Sequence, residues 1–148
     1  MVDPIGDTQA VREAQATFER WHEGFNSRDA AAQVAEMHFP HVRLTGANRF
    51  MQWDTAEDFM ASQDELTARL QAEEWDRTVN ESITPVQVGA DKVHFALHES
   101  RRKADGSEYN GFNTLWIFTK IDERWGLQFR SSFLSGAAQG FSDSERPS

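Results

Sequence analysis

Between Asp7 and Phe25 the apolar positions fall at Val11, Ala14, Phe18, Trp21 and Phe25, alternately three and four residues apart. That spacing places them on one helical face and predicts a helix over residues 7–25, with Asp7 as its N-cap and Asn26-Ser27 as its end. A shorter, alanine-rich helix is expected over residues 29–38, stopped by Pro40, because proline disfavours helix both at its own position and just before it. Residues 41–45 read as a short strand, Gly46-Ala47-Asn48 as a turn, and residues 49–53 as the returning strand. Thr55-Ala56-Glu57-Asp58 has the outline of a capping box and opens a third helix of about five turns, ending near Trp75 with Phe59, Leu66 and Leu70 inward. From Arg77 onward the period changes to two. Strands fit residues 78–88, 92–103, 111–121 and 125–134, separated by Gly89-Ala90-Asp91, Asp105-Gly106 and Asp122-Glu123. Three helices followed by a four-stranded meander predict an α+β domain, with the helices covering one face of the sheet. Residues 1–134 are expected to form one domain, and the small, polar residues 135–148 a frayed tail.

The turns also set a register. With Asp105-Gly106 and Asp122-Glu123 at two turn centres, His98 pairs with Asn113, Ala96 with Leu115 and His94 with Ile117. On the next strand Asn113 pairs with Ser132, Leu115 with Arg130 and Ile117 with Gln128. Two faces then separate. One is aromatic and aliphatic: Phe95, Leu97, Phe112, Trp116, Phe118, Leu127, Phe129 and Phe133. The other is mixed: His94, Ala96, His98, Asn113, Leu115, Ile117, Gln128, Arg130 and Ser132. The aromatic face suits either a core or a subunit interface. The mixed face suits a ligand pocket.

Composition narrows the classes. The 148 residues allow one full core, and 39% hydrophobic content fits an ordinary globular chain. A net charge of −9 would repel a phosphate backbone, so nucleic acid is not an expected partner. The absence of cysteine excludes disulfides and thiolate chemistry. No apolar run is long enough to span a membrane, and the N-terminal residues lack a signal-peptide pattern, so a cytoplasmic location is expected. His38 and His41 are separated by Pro40. His94 and His98 lie ~13 Å apart along a strand. No metal site is therefore expected. With no glycine-rich phosphate loop and no serine elbow, no cofactor is expected either.

Three helices, a short hairpin and a long meander, together with Phe25-Asn-Ser-Arg-Asp29 and Asp122-Glu-Arg-Trp-Gly-Leu127 followed by Arg130-Ser131, resemble the nuclear-transport-factor-2-like superfamily over residues 8–134. The SnoaL-like, polyketide-cyclase-like branch is the nearest in pattern. The resemblance implies a cystatin-like cone: helices close over a strongly curved antiparallel sheet and leave an apolar cavity, and the convex side often forms a homodimer. On that pattern the mixed face lines the cavity, the aromatic face meets a second copy, and Arg130 points inward.

The same resemblance guides the expected chemistry. Buried Arg130 would need a bound anion or a carboxylate, with Asp54, Glu57 and Asp58 as partners; a salt bridge tying helix to sheet is the structural alternative. His98 would be the acid–base group, with Asn113 orienting it or holding a substrate carbonyl and Ser132 assisting. A core histidine bonded to Asn113 is the plain alternative. Phe18, Trp21, His94, Leu115, Ile117, Gln128 and Ser132 would line the ligand space. A ketosteroid-isomerase mechanism is excluded by Thr45 and Leu115, which stand where its base and acid would be. The Asp-Arg-Asp set of limonene-epoxide-hydrolase-like members is missing too, and a histidine site like that of scytalone dehydratase is the remaining parallel. The expected function is binding of a small, largely apolar or amphipathic molecule, with cofactor-free isomerase, cyclase or dehydratase chemistry. A non-catalytic binder or a dimerisation domain are the alternatives.

Overall fold

The computed structural model describes residues 8–134. Helix α1 spans Gln9–Asn26 and is capped by Thr8, whose side chain accepts a hydrogen bond from the Val11 N–H. Asp7, the expected cap, lies outside the described residues, as does the tail assigned to residues 135–148. Asp29 caps the short helix α2, Ala30–Val34, by accepting from the Ala32 N–H. This helix stops earlier than expected, because the chain is already extended at Met37. Strand β1, Met37–Leu44, carries Pro40 within it and returns through β2, Phe50–Trp53. Pro40 is tolerated because it falls in an irregular stretch, between the Met37–Leu127 and Val42–Phe129 pairings.

The single third helix expected over residues 55–75 is two: α3, Ala56–Ala61, and α4, Gln63–Ala72. The Ser62 hydroxyl donates to the Phe59 carbonyl at 2.6 Å and competes with the backbone at the junction. Four long strands follow: β3, Arg77–Val88; β4, Lys92–Arg102; β5, Glu108–Ile121; and β6, Arg124–Ser132. They join β1 and β2 in one six-stranded sheet, in the order β2-β1-β6-β5-β4-β3, so the meander is extended by the early hairpin. All neighbours are antiparallel except β1 and β6, which run parallel. The result is an α+β cone of the cystatin-like type. Among the described residues no helix is long and apolar enough to cross a membrane.

The β4–β5 pairing matches the expected one: His98 with Asn113, Ala96 with Leu115, His94 with Ile117. Its connection is not a two-residue turn, however. Residues 103–107 form a wider loop closed by Lys103 N–H to the Ser107 carbonyl, with Gly106 at φ 89°. The Asp122-Glu123 turn has both residues at positive φ, 51° and 64°, the twist-matched hairpin geometry.

The face that meets the helices is the aromatic one, against expectation. Phe95, Leu97, Trp116, Phe118 and Leu127 are all buried, and they pack against Val11, Ala14, Phe18, Trp21 and Phe25 of α1. The physical reason is the larger transfer gain. Each large apolar side chain contributes about 1.5–3 kcal/mol on burial, whereas His94, His98, Asn113 and Gln128 would each demand a partner inside. The aromatic surface assigned to a homodimer is therefore mostly covered by α1. Only Phe129 and Phe133 of that set turn outward, with Phe133 71% exposed.

Candidate functional site

Arg130 does point inward, by a route the turn-based register did not contain. Between the pairs Phe118–Leu127 and Ile117–Phe129 the ladder gains one residue on β6, which is Gln128. This bulge reverses the alternation, so Arg130 and Ser132 join the inner face opposite Trp116 and Thr114. Gln128 is fixed by its own side chain: its Oε1 accepts from Thr119 Oγ1 at 2.7 Å, and its Nε2 donates to the Pro40 carbonyl at 3.3 Å. Its place is in the sheet ladder that aims Arg130, not on the ligand space expected of it.

The Arg130 guanidinium is held by three aromatic groups. Its carbon lies 5.1 Å from the Trp21 ring and 5.9 Å from the Trp116 ring. Its Nε donates to Nε2 of His41 at 3.0 Å. His41 in turn donates from Nδ1 to the Leu127 carbonyl at 3.3 Å, which fixes the neutral tautomer with its lone pair toward the arginine. Complete burial, and then the neighbouring Arg130 charge, push the His41 pKa well below the ordinary histidine value. Asp54, Glu57 and Asp58, the expected partners, are exposed around the start of α3.

Arg130 is not the sole cation there. Arg43 is its direct partner in the parallel β1–β6 register, and both line the two hollows inside the cone. These hollows measure about 30 and 40 Å³, each enough for a water or two. They share Trp21, Phe25, Arg43, Leu66 and Arg130 as walls. Arg101 closes the first hollow and Arg69 the second, so among the described residues that line this space there are four arginines and one carboxylate, Glu99. The indole Nε1–H of Trp21, 2% exposed, has no hydrogen-bond partner among the described residues, and neither has Oε1 of Gln33 in the second hollow.

Around this centre the polar groups are held tightly. Arg101 donates to Glu73 at 3.3 Å, and the Tyr109 hydroxyl donates to the same oxygen at 2.5 Å. Burial, and then that bond to Glu73, raise the Tyr109 pKa. Arg28 donates to Thr67, the Phe25 carbonyl and Gln63; burial and the nearby Arg101 charge bring its pKa down to about 10. His22 and Glu99 meet at 2.9 Å on the first hollow, and Asn80 donates to the other Glu99 oxygen at 2.8 Å.

The remaining expected site residues divide between the two faces. His98, Asn113, Leu115, Ile117 and His94 lie on the outer face, away from the helices, because β4 and β5 present their aromatic positions inward. His98 Nδ1 and Asn113 Oδ1 are 2.9 Å apart, and with Leu115, Ser131 and Phe133 they line a shallow open trough. Burial, with Lys92 adding a smaller effect, lowers the His94 pKa. Ser132 is inside, buried, and accepts from the Leu134 N–H, so it does not join the row of His98 and Asn113. Phe18 packs on Trp116 and His22 as core, while Trp21 borders both hollows. Sequence reasoning missed His41, Arg43, His22 and Glu99. The alternation His41-Val42-Arg43 in a short strand was the available signal for the first two.

The family described as NTF2-like protein (DUF6841) matches residues 12–128. No curated protein matches the chain. Among solved structures, a protein of unknown function with a cystatin-like fold from Nostoc punctiforme superposes with a TM-score of 0.67. It is 12% identical, over 86% of this chain and 93% of that one. An NTF2-like protein from Novosphingobium aromaticivorans gives 0.68 at 17% identity, over 90% of this chain and 88% of that one. These likenesses carry the fold and no particular activity.

Proposed function

We propose, for a chain that belongs to the NTF2-like family (DUF6841), that the cone interior binds a small aromatic or apolar molecule carrying one anionic group such as a carboxylate. The observation that supports this is the donor set: Arg43 and Arg130 side by side on adjacent strands, next to the Trp21 N–H, which has no acceptor among the described residues. The two guanidinium groups supply positive charge and N–H donors, and a buried donor without an acceptor, as at Trp21, costs about 1–3 kcal/mol. An anion seated there gives the Trp21 N–H its acceptor. The chain as a whole carries −9, so the cationic lining stands out against its own surface. Trp21, Phe25 and Trp116 supply the apolar walls.

The hollows are small, so the ligand must widen them. The wall suited to moving is α4, which buries only Gln63 and Leu70 of its 10 residues. Leu66 on that helix borders both hollows, so its displacement widens both.

The test is calorimetric titration with phenylacetate and with its neutral analogue phenylacetamide. Phenylacetate binds the native chain, and Arg43→Met weakens it by at least about 10-fold, the worth of one charge-assisted hydrogen bond. Phenylacetamide binds more weakly by a similar factor. Equal affinity for the two probes, or an unchanged Kd in the variant, overturns the reading.

A further inference from the structure

Resting on that anion-binding reading, we propose that His22 is a general base for a carbon acid held in the cone, and that Glu99 is its positioning residue. The two side chains border the same hollow as Arg43, Arg101 and Arg130. They come from different elements, α1 and β4, which meet only in the folded cone. The imidazole is 13% exposed and the carboxylate 3%, so the pair is shielded yet open on the ring side. Nε2 of His22 donates to Glu99 Oε1 at 2.9 Å, and Asn80 Nδ2 donates to Oε2 at 2.8 Å. Both carboxylate oxygens are thus engaged. The bond from Nε2 leaves the Nδ1 lone pair as the ring's basic site, and Glu99 holds the ring in that tautomer.

Here an anchored carboxylate would hold a neighbouring carbonyl and its α-carbon near the imidazole. The step is a proton transfer. Nδ1 takes a proton from that carbon; the C–H electron pair becomes the C=C bond of an enolate, and the carbonyl π pair moves onto oxygen. The guanidinium groups offset the oxyanion. Return of a proton from the imidazolium to carbon restores the ketone, so no oxidant or other reactant is required.

Phenylpyruvate is the probe, as it carries an aromatic ring, a carboxylate and acidic benzylic protons. It is incubated with the full chain in D2O, with loss of the benzylic proton signal followed by NMR and binding measured separately by calorimetry. The native chain binds it and speeds exchange by at least about 100-fold over buffer, the usual reach of general base catalysis. His22→Gln keeps the Kd within about threefold while exchange falls to nearly the buffer rate. Glu99→Gln also keeps binding, lowers exchange by about 10-fold or more, and converts the single Nε2–H tautomer of His22, read from its ring 15N shifts, into a mixture. Binding without accelerated exchange in the native chain overturns the proposal and leaves anion binding standing. Absence of binding overturns both. Undiminished exchange in His22→Gln overturns the role of His22. Should that variant not fold, the native ring spectrum decides: an Nδ1–H tautomer contradicts the proposal.

Discussion

Phe118→Ala is expected to destabilise the chain by about 3–5 kcal/mol, measured by urea unfolding, while Leu115→Ala, three residues earlier on the same strand, costs about 1 kcal/mol or less. Phe118 is fully buried, with its ring 5.7 Å from that of Phe95 and 6.4 Å from that of Trp116. Removing it leaves a cavity in the layer between α1 and the sheet, where neighbouring rings cannot close up without leaving their own contacts. Leu115 is half-buried on the other face, along the open trough. Truncating it removes apolar area that water already reaches. The reverse ranking would mean that the mixed face is the one under the helices.

Acidification is expected to weaken the fold before any carboxylate titrates. The folded-state pKa of His41 is depressed, first by burial and then by the adjacent Arg130. An unfolded histidine near ~6.5 takes up a proton that the folded one refuses, so stability is fully present above that value and is lost as pH falls below it. Between pH 7 and pH 5 the loss from His41 has an upper limit of about 2 kcal/mol, set by the unfolded histidine alone. His38 shifts in the same direction, chiefly by burial, as does His94, and both add to the loss. Protonating His41 would also set two cations against each other, since its Nε2 accepts from Arg130. In His41→Gln the side-chain oxygen can still accept from the arginine but cannot be charged. Denaturant midpoints across this range should therefore fall steeply in the native chain and less steeply in the variant. Equal slopes would show that His41 is not the group responsible.

Much of this cone was legible in the chain. The 3-4-3-4 spacing of Val11, Ala14, Phe18, Trp21 and Phe25 marks α1, because a straight helix has only one such stripe to bury. Period-two alternation and Asp122-Glu123 located the long strands, and the His98–Asn113 register followed from chain direction and turn position. Three things were hidden. The Gln128 bulge has no local marker: its side chain bonds Thr119 on the neighbouring strand and the carbonyl of Pro40, which is 88 residues away. That single insertion decides which way Arg130 looks. The resemblance to cones with large cavities points to the wrong face. Here the aromatic positions fill the interior, as burial energetics alone would favour, and His98 is left outside. Finally, the neighbours Arg43 and Arg130 come together only through the parallel β1–β6 pairing, a long-range contact no spacing rule exposes.

The sharpest measurement follows the Trp21 indole resonance in 1H–15N spectra as phenylacetate is added. An anion seated between Arg43 and Arg130 gives that buried N–H an acceptor and shifts its signal downfield, while phenylacetamide leaves it nearly in place. If the Trp21 indole stays still and the shifts gather instead at His98, Asn113 and Leu115, the ligand belongs to the outer trough and the interior is simply a core.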